Sequence, residues 1–552
     1  MSGERCMSGQ GFIERGKATS WLIVVTFLTI FIVGIGTYED YDIFGDAAIE
    51  RISGFITYEY INDLLFHREV PVISARNLPE LPEWRDRQYG MFFQLPIIFI
   101  EDLKGFKTSF YKSLIDRHLY CFIIYFIALI CFYFTLKEIL ANKLIALAGV
   151  LMEHLHYNLY AQSITNIKDG LFVSIYIIAC FFMIKLMKNR EKNIYLLLFA
   201  LFTALATTIR FYGFILIPTY ITYTIVEDIV FLKSNNDIKS WLNPRLKRGL
   251  TANFSLVWLI IIFCAIYYIV MPVYWLNPSE TLLYTINSAL NFPNWNNTME
   301  FMGKVGKWEE MPWYYLPVYM LLTIPVYTII AFLIGTILII FNTFKGRKFE
   351  NFVRYRFLWV YMGLFFILFI FQIVFHIKIY GRWRHMYILY PALVVIAAAG
   401  IQMLQEIVAN SKVTQKSKYI LFIIPLLMSL GFLGSIARMI KNHPYEQAMY
   451  NIIGMKYGAE NNRAGHGRKE IYSYMLEHDN SEKLKVKFEP VGLVSLNSKA
   501  LKRITWVIND YDYLFVDYRN IIGNNYQVPG YSEIYTLWQD GYKLASLYKK
   551  NP

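Results

Sequence analysis

Apolar residues run along this chain in long, nearly uninterrupted blocks. Successive blocks predict membrane-spanning helices over 20–36, 118–136, 143–160, 170–186, 193–209, 211–227, 252–272, 314–341, 357–376, 386–405 and 418–437, since roughly 20 apolar residues cross a bilayer. Between the first two blocks the pattern changes. Ile49, Ile52, Phe55, Ile56 and Ile61 recur near helical spacing and predict an amphipathic helix over Ala47–Phe66. Tyr89–Ile100 is apolar but too short, and too close to Pro96, to span. Both segments are expected to lie along the membrane interface. After the last block the period shortens. Leu484–Val494 and Ile504–Phe515 read as strands and Lys469–His478 as a helix.

The fold class that follows is a polytopic α-helical membrane protein with about eleven transmembrane helices and a small α+β C-terminal domain. The predicted division is 1–437 for the membrane domain and 438–552 for the soluble one. Within the membrane domain, 37–117 and 273–313 are long loops, the second rich in Trp and Pro.

Composition agrees with a membrane protein. Charged residues make up 17% of the chain, against about 25% in soluble domains. The first apolar run lacks a small-residue cleavage site after it and is expected to stay as an anchor. The five cysteines, Cys6, Cys121, Cys131, Cys180 and Cys264, form no CxxC pair and suggest neither disulfide nor metal chemistry.

The net charge of +13 does not point to nucleic acid, because Lys and Arg concentrate in the short loops where they set topology. Lys185, Lys188, Arg190 and Lys192 form one such group. Lys233, Lys239, Arg245, Lys247 and Arg248 form a second; Lys345, Arg347, Lys348, Arg354 and Arg356 a third; Lys412, Lys416 and Lys418 a fourth. With a cytoplasmic N-terminus all four face inward. Loops 37–117 and 273–313 and the tail 438–552 then face outward. The outward Lys378, Arg382 and Arg384 break the rule and call for a functional reason.

On that topology the unusual polar residues gather at the outer ends of the spans. Glu39, Asp40 and Asp42, with Asp46 close behind, follow the first span. Asp116, Arg117 and His118 precede the second; Asn166, Lys168 and Asp169 precede the fourth; Arg210 closes the fifth. Glu309 and Glu310 precede the eighth span, and Arg382, Arg384 and His385 the tenth. An ion-coupled transporter needs ionisable groups near the bilayer midplane. A rim of mixed charge at one interface instead suits chemistry on a lipid-borne headgroup: cations hold a phosphate and a carboxylate takes a proton. Glu153, His154 and His156 do not have HExxH spacing and show no third ligand, so no metal is assigned to them.

Several stretches now carry a family resemblance: TYEDYDIFGDAAIE at 37–50, QYGMFFQLP at 88–96, RHLY at 117–120 and SITNIKDGLF at 163–172. IRFYGF at 209–214, MPWYYLPVY at 311–319, GRWRHMYILYPALVVIAAAG at 381–400 and NHPYEQAMYNIIG at 442–454 continue it. Together they resemble the GT-C membrane glycosyltransferases of the dolichyl-phosphate-mannose:protein mannosyltransferase type (glycosyltransferase family 39), in their bacterial branch. The chain departs from that pattern in three places. Glu39-Asp40 stands where the family has Asp-Glu, Ile167 replaces a proline, and the aromatic-acidic segment after Asn451 is not evident.

The resemblance implies an inverting glycosyltransferase of the cell envelope. It would move a sugar from a polyprenyl-phosphate donor to a hydroxyl of a protein, lipid or glycan acceptor, outside the bacterial inner membrane. The expected base is Asp40, with Asp42 and Glu39 as substitutes. Lys168, Arg210 and Arg384 are expected at the donor phosphate, with His385 assisting, and Asp169 at a nearby cation. Trp308, Glu309, Glu310 and Trp313 are candidates for a lipid or acceptor groove. No cofactor beyond the lipid-linked sugar is implied. No nucleotide-sugar site is required by the resemblance, and a divalent metal stays an open question. Two other readings fit parts of the pattern: a non-catalytic transporter or flippase of lipid-linked sugars, and a scaffolding membrane protein whose tail binds a partner.

Overall fold

The computed structural model describes residues 4–70, 77–107, 110–140, 142–234, 245–291, 296–346, 348–410, 415–463, 467–487 and 498–552. Among these, seven helices are long and apolar enough to cross a membrane: Lys17–Thr37, Tyr111–Ile139, Asp169–Lys188, Val326–Phe344, Arg356–Val374, Leu389–Ala409 and Ile423–Asn442. Each answers to a predicted span. Asn193–Ile209 and Leu256–Val270 are apolar but shorter.

Three predicted spans are interrupted for local reasons. The run 143–160 divides into helices Lys143–His154 and Tyr157–Thr165, because the His156 imidazole turns back and its Nδ1 accepts the Leu159 N–H at 3.2 Å. The run 314–341 divides into Tyr315–Thr323 and Val326–Phe344 around Pro325, which cannot continue a helix. The run 211–227 opens as a 3-10 turn, Phe211–Ile215, before helix Leu216–Ser234. Lys239, Arg347 and Lys412 lie outside the described residues.

The long helices pack through small residues. At Gly335 an added Cβ would stand 2.1 Å from the Ile396 carbonyl oxygen, and at Gly400 2.5 Å from the Gly335 Cα. Only hydrogen at these positions lets Val326–Phe344 and Leu389–Asn410 run in contact, a common device where lipid offers no hydrophobic drive to pack. Asp169–Lys188 is the central helix. It packs on Phe110–Ile139 and on Asn193–Ile209, and most of its side chains are buried.

The first loop contains helix Ala47–Phe66, with the predicted bounds, and Leu95–Leu103, which overlaps the end of the predicted 89–100 segment and runs three residues past it. The 273–313 loop holds helix Pro278–Asn291 and a small hairpin of β1 (Met299–Phe301) and β2 (Lys304–Gly306). The tail holds helix Arg468–His478 and a five-stranded sheet. Its strands are β3 (Leu484–Lys487), β4 (Ile504–Val507), β5 (Tyr513–Asp517), β6 (Tyr531–Gln539) and β7 (Tyr542–Lys550), in the order β4-β3-β5-β7-β6. The β3/β4 and β3/β5 pairs are parallel, and the β5/β7 and β6/β7 pairs antiparallel. In β3, Leu484 and Val486 are buried and Lys485 and Lys487 exposed, the alternation of a strand with one face covered. Residues 488–494 of the predicted first strand lie outside the described residues.

Candidate functional site

The site is built on the segment Asn166-Ile167-Lys168-Asp169. The Asn166 carbonyl oxygen Oδ1 accepts the backbone N–H of Lys168 at 2.9 Å and of Asp169 at 3.0 Å. This closes the turn that starts helix Asp169–Lys188, as Asn side chains do at helix starts. Gly170 then lets the helix start lie on the backbone of Tyr157–Thr165: a Cβ there would be 2.0 Å from the Gln162 carbonyl oxygen. Lys168 and Asp169 are thus held at a rigid corner.

Asp169 is buried. Its Oδ1 accepts from Arg210 Nε at 2.9 Å and Nη2 at 2.5 Å, and its Oδ2 lies 3.3 Å from Arg384 Nε. Arg384 reaches on to Asp46, Nη2 to Oδ2 at 3.0 Å. Lys168 Nζ donates to Glu50 Oε1 at 2.8 Å and sits 3.4 Å from the centre of the Tyr89 ring. Tyr380 and Phe44 flank the Arg384 guanidinium at 4.9 and 5.0 Å. Lys168, Arg210 and Arg384 therefore converge from three separate stretches of chain, and Asp169 lies between two of them.

Burial alone would weaken the hold of Lys168 on its proton, but the Glu50 carboxylate and the Tyr89 hydroxyl together more than offset burial and raise its pKa. Burial opposes the charge on Arg210 and Arg384 too. Asp169 next to Arg210, and Asp46 with Asp169 next to Arg384, more than offset it. His385 goes the other way. Burial first, then the nearby Arg210, pushes its pKa well below the usual value. It is a neutral imidazole at pH 7, and its Nε2 is buried without a hydrogen-bond partner. It offers a ring nitrogen and no charge.

The first-loop acids divide. Asp46 touches the cationic cluster. Glu39 is exposed and pairs with Lys112 at 3.0 Å. Asp40 accepts from His443, just past the last long helix, at 3.0 Å; the other nitrogen of that ring meets Glu446 at 2.8 Å. Asp42 Oδ2 accepts the backbone N–H groups of Gly467 and Arg468 at 2.8 and 3.0 Å, so it caps helix Arg468–His478 of the tail from outside. The resemblance pointed to Asp40, with Asp42 and Glu39 as substitutes; of the acids between 39 and 46, the one in contact with the cations is Asp46. The available signal was its place immediately before an amphipathic helix, whose start is fixed in direction.

The basic group Lys378, Arg382 and Arg384 also divides. Arg382 is buried and donates to the carbonyl oxygens of Gln447, Ala448, Met449 and Asn462 at 2.7–3.0 Å. Asn158 Nδ2 donates to Glu446, Gln447 and Met449 beside it. Arg382 thus binds the segment after the last long helix, while Arg384 serves the cluster. Lys378 lies 3.4 Å from Glu309.

The groove candidates are not joined to the cluster by any described contact. Trp308 is buried, donates its indole N–H to the His376 carbonyl at 2.9 Å and stacks on that ring. Trp313 is exposed, as are the Glu309 and Glu310 side chains. Instead, a narrow cavity beside Lys168 is lined by Glu50, Tyr89, Gly90, Gln94 and Leu171, among others. Gln94, also buried, was not among the candidates. Among the described residues no three His, Cys, Asp or Glu side chains form a metal-binding group.

No curated protein matches the chain. Residues 110–242 match a family model described as dolichyl-phosphate-mannose-protein mannosyltransferase. The matched stretch includes Lys168, Asp169 and Arg210, and ends before Arg384. Over this stretch the chain is similar to the GT-C mannosyltransferases, a family of membrane glycosyltransferases.

Proposed function

We propose that this protein transfers a sugar from a polyprenyl-phosphate donor to an acceptor hydroxyl, with inversion at the anomeric carbon. The observation that carries the reading is the meeting of Lys168, Arg210 and Arg384 around Asp169, with Asp46 on the same cluster. Three cations fixed by buried partners suit a phosphate whose charge grows as the glycosidic bond breaks. Asp169 holds two guanidiniums in place. His385 supplies a neutral nitrogen at their edge.

Asp46 is the proposed base. It accepts the acceptor proton as the hydroxyl oxygen bonds to the anomeric carbon, while the bond from that carbon to the phosphate oxygen breaks. The lipid phosphate leaves with the bonding electron pair. Asp40 and Asp42, bound to the tail, set the position of the loop that carries Asp46. The acceptor class, protein, lipid or glycan, and the outer face of a bacterial inner membrane complete the reading.

The test uses purified protein with defined lipid-linked sugars. Asp46→Asn is expected to cut transfer by roughly 10²–10⁴-fold, the range for losing a general base, with polyprenyl-phosphate binding kept. A non-catalytic flippase would show no transfer even as the wild type. Full turnover in Asp46→Asn with loss in Asp40→Asn would move the base to Asp40.

A further inference from the structure

Every cation of the cluster already has a carboxylate: Lys168 has Glu50, Arg210 has Asp169, and Arg384 has Asp46 and Asp169. Three acids match three bases. A donor phosphate therefore competes with a resident acid for each cation. The pairs are not equally easy to open. Asp169 is locked by two guanidiniums and by Asn166 Nδ2 at 3.3 Å. Lys168 stands over the Tyr89 ring at the same time as it meets Glu50, a contact that does not depend on the acid, and a lysine ammonium rotates freely where an arginine fork does not. Glu50 follows Asp46 by four residues, so the two acids share one face of the segment that starts helix Ala47–Phe66. Glu50, Lys168 and Tyr89 line the same cavity, together with Gln94, whose buried Nε2 has no hydrogen-bond partner.

We propose, resting on the lipid-phosphate reading above, that Glu50 is a positioning residue that masks Lys168 until the donor arrives. The donor phosphate takes Lys168 from Glu50 while Tyr89 keeps its cation contact. The released Glu50 carboxylate then accepts a hydrogen bond from the acceptor hydroxyl, one turn from Asp46, with Gln94 Nε2 as a nearby donor. Donor binds before acceptor, because the acceptor contact exists only once Lys168 has moved. The exchange is non-covalent and conserves charge.

Glu50→Gln tests this. Its amide oxygen holds Lys168 only weakly, so polyprenyl phosphate should bind about tenfold more tightly, a shift of about 1.4 kcal/mol. Transfer at saturating donor should fall about tenfold as the acceptor contact weakens, and Glu50→Asp should regain part of that rate. A purely structural pair predicts the opposite: looser lipid binding and a lower unfolding midpoint. Unchanged or weaker binding in a folded Glu50→Gln overturns the proposal. If that variant does not fold, hydrogen–deuterium exchange of the wild type decides. Added polyprenyl phosphate should loosen the start of Ala47–Phe66; unchanged or greater protection there overturns the masking. If neither the wild type nor Lys168→Met binds polyprenyl phosphate, the donor reading itself fails, and masking with it.

Discussion

Asp169 receives two nitrogens of Arg210, Nε at 2.9 Å and Nη2 at 2.5 Å, on a single carboxylate oxygen. The two residues are joined by a helical hairpin. Asp169 opens helix Asp169–Lys188, and Arg210 caps the C-terminal end of Asn193–Ile209, which packs against it. The hairpin returns the chain to the level where it began, so the pair closes it at the site end. Asp169→Asn leaves Arg210 and Arg384 buried beside a neutral amide. Breaking a buried pair from one side costs about 3–5 kcal/mol. The variant should show a clearly lower unfolding midpoint in detergent and no measurable transfer.

Asp42 is expected to act through the tail. Asp42→Ala removes the acceptor for two N–H groups at the start of Arg468–His478, and losing such a cap costs about 1–2 kcal/mol. Hydrogen exchange and limited proteolysis should accelerate in 467–478. The membrane helices should keep their protection.

Arg382 and Arg384, two residues apart, should respond differently to the same change. Arg382→Lys cannot reach four carbonyl oxygens with one ammonium. Buried acceptors are left unpaired, at a cost on the order of 3 kcal/mol, seen as a lower melting midpoint. Arg384→Lys keeps a charge next to Asp46 and Asp169. It should lower transfer more than it lowers stability.

Glu300 predicts a pH dependence. It is buried in β1, where Asn462 Nδ2 donates to it at 3.1 Å. Burial pushes its carboxyl up to about 7 from a usual 4.5, with the Asn462 bond opposing. The folded state therefore prefers the protonated acid. That contribution is fully present below about pH 4.5 and is lost as pH rises through about 7, amounting to about 3 kcal/mol at most. Thermal unfolding of Glu300→Gln across this window should be flatter with pH than that of the wild type. Parallel curves would remove Glu300 from the account.

The hydrophobic runs alone determined that this is a helical membrane protein, and they located all seven long apolar helices, because burial in lipid leaves a signal in each segment by itself. The periodicity of Ala47–Phe66 and the alternation around Leu484 were legible for the same local reason, whereas the stretch read as one strand over Ile504–Phe515 divides into β4 and β5, neither alternating in burial. Arg384 stood out because its loop breaks the charge rule for topology, and Lys168 and Arg210 were singled out through the resemblance. Where a helix breaks inside an apolar run, as at His156 or Pro325, depended on a cap and a ring that the runs do not show. Only the tertiary structure divided like residues between tasks: Asp46 to the cluster and Asp42 to the tail, Arg384 to the carboxylates and Arg382 to the carbonyls. Neighbouring residues of one type are chemically alike along the chain. Their roles separate only when distant segments supply different partners.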